Sequence, residues 1–139
     1  MQRVSACNLK REVYGWYPYW MGTSYTGYDF SLLSTFAYFS YEVNPANGRY
    51  SSIHSWKTTN SIPLAHAAGC RVELSATLFG SSNLTTFLSN ATSKQTFIDS
   101  IISLVQYRNA DGVNIDFEGL PASQRTNFTN FMASLSTQL

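Results

Sequence analysis

Charged residues are scarce in this chain, at 12% of 139 residues, compared with about a quarter in an average soluble domain. Nine basic and eight acidic side chains leave a net charge of +1, and lysine and arginine form no run. Nucleic acids and acidic membrane surfaces are bound through clustered positive charge, so the sequence gives no electrostatic support for either partner. No stretch approaches the roughly 20 apolar residues of a membrane-spanning helix.

Cysteine is also rare, and two residues are too few to define a disulfide framework. Cys70 starts a predicted strand, where it is most simply a small buried hydrophobic residue. Cys7 ends a Val-Ser-Ala-Cys sequence that resembles the tail of a bacterial lipoprotein signal, although only three residues precede that sequence. We therefore expect an extracytoplasmic protein, secreted or surface-anchored, with lipidation of Cys7 as one variant.

Hydroxyl and aromatic side chains are abundant where charged ones are scarce. Serine and threonine together number 32, and aromatic residues make up 15% of the chain. Hydroxyls complement the polar edges of pyranose rings and aromatic faces complement their apolar faces, so this composition suits a sugar partner. Many extracytoplasmic proteins without sugar partners share it.

Segments in which apolar residues recur every second position alternate along the chain with segments in which they recur at helical spacing. This alternation is typical of α/β architecture. The sequence predicts an amino-terminal tail over residues 1–11 and one domain, or part of one, over 12–139. Ser61 and Ser93 are the expected caps of its first two helices. The expected strands are 12–20, 34–43, 70–78 and one within 111–119. The expected helices are 61–68, one from 93 onward and one from 122 onward. A helical turn is expected at 28–33 and an excursion at 49–53.

The most informative segment is DGVNIDFEG, at residues 111–119. Its apolar set is Val113, Ile115 and Phe117, and its polar set is Asn114, Asp116 and Glu118. Alternate side chains of a strand point to opposite faces, so the apolar set can pack under helices while the polar set faces a site that uses charge. Glu118 ends the apolar run, and chemistry collects at the carboxyl ends of strands in parallel barrels. This pattern predicts an active site.

The same segment resembles the D-x-x-D-x-D-x-E signature of glycoside hydrolase family 18, the chitinases and their relatives. Asn114 stands where that family usually has its middle Asp. Further segments match the family in order, but its S-x-G-G motif appears here as Ser75, Ala76, Thr77 and Leu78. The first three strands of the family resemble YGWYPYW (14–20), STFAYFSYEV (34–43) and CRVELSATLFG (70–80).

The resemblance implies a (β/α)8 barrel of the TIM type, which usually needs about 250 residues. The chain has 139 residues, and its last predicted helix reaches Leu139 without a stop signal. We therefore expect a partial barrel containing about the first four βα units, whose carboxy-terminal half belongs to a longer protein. The alternative is a self-sufficient half-barrel that dimerises.

The resemblance also implies a retaining mechanism in which the 2-acetamido oxygen of the substrate is the nucleophile. By resemblance, Glu118 is the general acid and base, and Asp116 orients the acetamido group. Asn114 is expected to orient Asp116 by hydrogen bonding, without adding a negative charge. Asp111 falls off the polar row, so we expect it to support the amino end of the strand.

Five further residues are the expected sugar contacts: Trp16, Tyr17, Tyr38, Ser75 and Phe79. Each of the four aromatic residues has an alternative role as packing inside the barrel. The two carboxylates have two alternatives, a solvated strand end with chance acidic residues and a metal site with oxygen ligands. No metal or cofactor is expected, because no histidine or third acidic residue lies beside them in sequence.

The function predicted from these residues is hydrolysis of β-1,4 bonds next to N-acetylglucosamine, in chitin, peptidoglycan or an N-linked glycan core. A non-catalytic, lectin-like sugar-binding barrel is the alternative, and the presence of Glu118 favours the enzyme because binding alone needs no general acid. The isolated chain is expected to be inactive, since the family supplies further site residues from later strands.

Overall fold

The computed structural model describes residues 10–139. Cys7 lies outside the described residues, so its lipidation stays a prediction. The strands are β1 (Tyr14–Pro18), β2 (Thr35–Val43), β3 (Tyr50–Ser52), β4 (Arg71–Phe79) and β5 (Gly112–Glu118). The α-helices are α1 (Ser61–Ala67), α2 (Ser81–Leu88), α3 (Ala91–Arg108) and α4 (Arg125–Gln138).

Four of these strands form a parallel sheet in the order β1, β2, β4, β5. Helix α1 precedes β4, helices α2 and α3 connect β4 to β5, and α4 follows β5. The short strand β3 pairs antiparallel with β2 and forms the excursion expected at 49–53. The α/β class and the parallel sheet are therefore confirmed. None of the described helices is both long enough and apolar enough to cross a membrane.

The first strand is shorter than the expected 12–20. Pairing with β2 extends only to Pro18, which has no N–H with which to continue a ladder of hydrogen bonds. Tyr19–Met21 then form a 3-10 turn that ends at Gly22, where φ is 61°. Trp20 is therefore carried on a turn beyond the strand instead of within the sheet.

Helix α2 was not anticipated from the sequence. Its segment SSNLTTFL is half serine and threonine, which are weaker helix formers than alanine or leucine. The available signal was the spacing of Leu84, Phe87 and Leu88, which lie three and four residues apart and are all buried. One such pattern within eight residues is short, and only packing against the neighbouring helices distinguishes it from a loop.

The expected caps, Ser61 and Ser93, lie inside their helices, so this expectation was wrong. The cap of α3 is Asn90, whose Oδ1 accepts the backbone N–H of Ser93 at 3.0 Å. The Ser93 hydroxyl instead donates to the carbonyl oxygen of Ala46 at 3.0 Å, which ties α3 to the β2–β3 hairpin. At α1, Thr59 Oγ1 accepts the Ser61 N–H at 3.2 Å.

The helices pack on one face of the sheet through an aromatic cluster. Phe117 of β5 stacks on Phe131 of α4 with ring centroids 5.8 Å apart, and it meets Phe87 and Phe97 edge-on. The other two apolar side chains of β5 pack against the same core. The expected packing of the apolar set under helices is confirmed, and it directs the polar set to the opposite face of the sheet.

The β2–β3 hairpin approaches α3 most closely at Gly48. This residue has φ of 75°, and a Cβ atom there would lie 1.9 Å from the backbone carbonyl oxygen of Ser93. The carbonyl oxygen of Gly48 accepts a hydrogen bond from the buried Tyr41 hydroxyl at 2.8 Å. Backbone atoms cannot yield as a flexible side chain can, so the position requires glycine.

We expect Gly48→Ala to lower the free energy of unfolding by about 2–3 kcal/mol, from overpacking combined with an unfavourable φ. Urea denaturation measures this change. Gly27→Ala is the matched control, because a Cβ atom at Gly27 meets nothing within 4 Å, and it should change stability by less than about 0.5 kcal/mol. Equal effects of the two substitutions would contradict the close approach.

Candidate active site

The polar set of β5 lies on the face of the sheet that points away from the helix-side core, here called the polar face. Along the strand exposure increases, from half-buried Asn114 and Asp116 to exposed Glu118. Strand β4 places Ser75 beside Asn114, and Phe79 pairs with Glu118 at the carboxyl end. The neighbouring carboxylates, two residues apart, begin about 6.5–7 Å from each other along the strand.

Asn114 connects three strands through one oxygen atom. Its Oδ1 accepts a hydrogen bond from Trp16 Nε1 of β1 at 3.2 Å and another from Ser75 Oγ of β4 at 3.1 Å. These two donors determine the amide orientation and leave the Asn114 NH2 group available as a donor. In a flat sheet β1 and β5 would lie about 14 Å apart, three strand spacings. The bond to Trp16 therefore requires a sheet that curls strongly around its polar face.

Asp116 borders a small hollow of about 220 Å³. The other residues that line this hollow are Trp16, Pro18, Trp20 and Phe39. Trp20 meets Phe39 edge-on, with ring centroids 5.8 Å apart. A carboxylate thus borders an open hollow lined largely by aromatic residues, an arrangement that suits a ligand with apolar faces and a polar group directed at Asp116.

Asp111 lies at the opposite end of β5 from Glu118. Its Oδ2 accepts the backbone N–H of Val72 at 2.7 Å and lies 3.1 Å from His66 Nε2. These contacts attach the amino end of β5 to β4 and to α1. Asp111 is thus held by protein groups at the amino end of the D-x-x-N-x-D-x-E segment, although both it and Glu118 are exposed residues.

A hydrogen-bonded pair, Tyr14 and Glu73, lies on the polar face between Asp111 and Asn114. The Tyr14 hydroxyl donates to Glu73 Oε2 at 2.6 Å, and the Tyr14 ring contacts Trp16 at 4.7 Å. Desolvation, and then the hydrogen bond to Glu73, raise the pKa of the Tyr14 hydroxyl, so this group stays protonated and acts as a donor. Sequence reasoning missed the pair, although a glutamate inside a predicted strand was a usable signal.

The expected sugar contacts divide between the two faces. Trp16, Ser75 and Phe79 lie on the polar face, where Trp16 is 56% exposed and Phe79 is 48% exposed. Tyr17 and Tyr38 instead fill the helix-side core, at 1% and 2% exposure. Tyr17 packs against Tyr25 and Tyr28, and the Tyr38 hydroxyl accepts the backbone N–H of Ser55. Adjacent residues of one strand face opposite ways, so Trp16 and Tyr17 cannot both line the hollow.

Within residues 10–139, histidine, cysteine, aspartate and glutamate side chains form no cluster of three or more that could hold a metal ion.

The family model for glycosyl hydrolases family 18 matches residues 13–139. The chain belongs to this family. No curated protein sequence matches it. The fold agrees with the family, since solved structures of family members overlay on nearly the whole chain.

A chitinase from Bacteroides thetaiotaomicron has a TM-score of 0.78 at 18% identity, over 89% of this chain and 42% of its own. The spore cortex-lytic enzyme SleL of Bacillus cereus has a TM-score of 0.76 at 17% identity, over 92% of this chain and 32% of its own. A family 18 chitinase from Cycas revoluta, solved in complex with (GlcNAc)3, has a TM-score of 0.74 at 19% identity, over 89% of this chain and 39% of its own.

The chain therefore spans less than half the length of these structures. Its sheet and helices match the amino-terminal part of the family 18 TIM barrel, which confirms the expected partial barrel. At these identities the overlays support the fold, and the chemistry of the site rests on this chain's own residues.

We expect Asn114→Leu to lower the free energy of unfolding by about 1–3 kcal/mol, because it leaves the fully buried Ser75 hydroxyl and the Trp16 N–H without their acceptor. Urea denaturation measures the loss. Adding Ser75→Ala removes one unsatisfied donor, so the double variant should be less destabilised than the sum of the two single variants. Strict additivity would show that Asn114 Oδ1 does not accept the bond from Ser75.

Proposed function

We propose that this protein is a glycoside hydrolase that cleaves β-1,4 linkages next to N-acetylglucosamine, in chitin or a related glycan, with retention of configuration. Membership of family 18 supports the reaction class. The observation that carries the proposal is the placement of Asp116 and Glu118 side by side on the polar face, next to an aromatic hollow. The bound (GlcNAc)3 of the Cycas relative supports the choice of sugar.

In this mechanism Glu118 donates its proton to the glycosidic oxygen as the bond to the anomeric carbon breaks. The acetamido carbonyl oxygen of the substrate attacks the same carbon and forms an oxazolinium intermediate. Water then attacks the anomeric carbon, Glu118 takes the proton of that water, and the acetamido group is regenerated. Glu118 suits this role because it ends the strand in an exposed position that both the leaving group and water can reach.

Asp116 binds the acetamido N–H and stabilises the positive charge of the intermediate. Its position beside Trp16, Trp20 and Phe39 supports this role, since low surrounding polarity strengthens the attraction between a carboxylate and a developing cation. Trp16 and Phe39 provide apolar faces for the sugar ring at the same point.

Asn114 is a positioning residue in this scheme. Its Oδ1 is taken by Trp16 and Ser75, so its NH2 group is the part that can donate to Asp116. An aspartate in the same place would exchange protons with its neighbour, whereas an amide offers Asp116 a donor that does not titrate.

The matched structures are more than twice as long as the region shared with this chain. We propose that the later strands supply the opposite wall of the sugar site and that the isolated chain is inactive. Since a polymeric glycan does not cross a bilayer, we also propose that the protein acts outside the cytoplasm.

We expect Glu118→Gln in the full-length protein to lower kcat on chitooligosaccharides by at least about 100-fold, the usual contribution of a general acid–base group. Oligosaccharide affinity should be retained, because the amide preserves the shape of the side chain. Glu12→Gln, which removes the same charge at the amino end of the sheet, is the control and should leave kcat unchanged. Glu12 contacts Arg71 there.

These variants also distinguish the enzyme from the lectin-like alternative. Undiminished turnover by Glu118→Gln would remove Glu118 from the mechanism. Sugar binding by the native full-length protein without any turnover would establish the non-catalytic alternative instead.

We expect Asn114→Asp to add an ionisation to the acidic limb of the pH profile of kcat/KM. The new carboxyl group would lie beside Asp116, and two neighbouring carboxyl groups titrate as a coupled pair. Profiles of the two proteins under identical conditions make the comparison. An acidic limb of the same slope and midpoint in both would show that position 114 is not coupled to the reacting groups.

A further inference from the structure

We propose that a second cavity at the carboxyl end of the sheet binds a sugar unit that carries a free, protonated amine, through the carboxylate of Glu42. This inference rests on the proposed function, because it concerns a neighbouring unit of the same glycan. The cavity measures about 580 Å³, which lies within the range of small-molecule sites. It shares Trp20 and Phe39 with the hollow beside Asp116, so one oligosaccharide can run through both.

Four of the twelve described residues that line this cavity are aromatic. Tyr19 and Trp20 lie on the 3-10 turn after β1, Phe39 on β2 and Phe79 at the end of β4. Trp20 is 63% exposed and Phe79 is 48% exposed, so their faces are available to a ligand. Aromatic faces carry negative potential, and they therefore attract a cationic group as well as the apolar face of a sugar ring.

Among the described residues that line this cavity, Glu42 is the one charged side chain. Its side chain is 41% exposed, and its Oε1 lies 2.8 Å from His54 Nε2. With Oε1 engaged by His54, Oε2 is the oxygen left for a ligand. A carboxylate accepts hydrogen bonds and does not donate them, so it binds an ammonium group more strongly than a neutral hydroxyl or amide.

His54 is held firmly in its position beside Glu42. Its ring stacks on Tyr19 with centroids 3.3 Å apart and planes inclined by 8°. Ser52 Oγ accepts the backbone N–H of His54 at 3.1 Å and lies 3.3 Å from Nδ1. The Ser52 hydroxyl proton is thus free to point at Nδ1, which places the ring N–H at Nε2 as the donor to Glu42. Glu42 is therefore oriented before a ligand arrives.

This arrangement favours a glucosamine unit over N-acetylglucosamine in the second cavity. Acetylation removes the positive charge of the amine, and with it the attraction to Glu42 and to the aromatic faces. The hollow beside Asp116 keeps its requirement for an acetamido group, since that group supplies the nucleophile of the proposed reaction. The preferred substrate is then a partly deacetylated glycan, with the two kinds of sugar at neighbouring positions.

The test uses the full-length protein and a set of chitooligosaccharides of one length, either fully acetylated or with one glucosamine at a defined position. Affinity is measured by calorimetry and cleavage by mass spectrometry of the products. We expect one glucosamine isomer to bind about tenfold more tightly than the acetylated oligosaccharide. Glu42→Gln should abolish this preference and leave the affinity for the acetylated oligosaccharide nearly unchanged.

Glu12→Gln is the matched control and should keep the preference, because it removes a carboxylate remote from the cavity. High salt should weaken the preference in the native protein, since the attraction is between charges. Equal loss of affinity for both oligosaccharides in Glu42→Gln would assign the carboxylate to hydroxyl binding and overturn the inference. Equal binding and equal cleavage of all isomers by the native protein would also overturn the inference.

The readouts separate this inference from the proposed function. A glucosamine preference that depends on Glu42, in a native protein that cleaves nothing, would support the second cavity and contradict the hydrolase. Cleavage without any preference would support the hydrolase and contradict the second cavity.

Discussion

The two-residue alternation of β5 is the constraint on which the rest of the structure depends. Phe117 is locked between the aromatic rings of α2, α3 and α4, and this packing determines which way every other side chain of the strand points. A shift of one residue would bury Asp116 and Glu118 under the helices, at a large desolvation cost, and expose the apolar set. Packing of the apolar set under the helices therefore keeps Asp116 and Glu118 on the polar face.

The polar face is held together by hydrogen bonds between side chains, two of which, Trp16 to Asn114 and Tyr14 to Glu73, join strands that are not neighbours. Trp16 and Ser75 both donate to Asn114, and Tyr14 donates to Glu73. These bonds cross the curve of the sheet, so they stabilise the curvature that brings the aromatic residues of β1 close to Asp116. An amide at position 114 suits this function, because its oxygen accepts two bonds while its nitrogen remains a donor.

The carboxyl end of the sheet carries two adjoining cavities of different character. The smaller contains Asp116, and the larger contains Glu42, with Trp20 and Phe39 forming the boundary between them. Each has one carboxylate and several aromatic residues in its lining, yet the partners of the two carboxylates differ. Asp116 lies two residues from Asn114 on the same face of β5, whereas Glu42 is paired with a histidine. We infer that the two cavities bind neighbouring units of one glycan, the smaller through an acetamido group and the larger through a protonated amine.

The sequence by itself determined the α/β class, the parallel strands and the division of β5 into an apolar and a polar set, because these follow from local periodicity. Tertiary structure decided which aromatic residues lie on the polar face of the sheet. Trp16 and Tyr17 are chemically similar neighbours, and only the packing of Tyr17 against Tyr25 and Phe36 shows which of them lies in the core. The pairing of Glu42 with His54 likewise depended on the β2–β3 hairpin, since residues 12 positions apart meet only when the chain folds back.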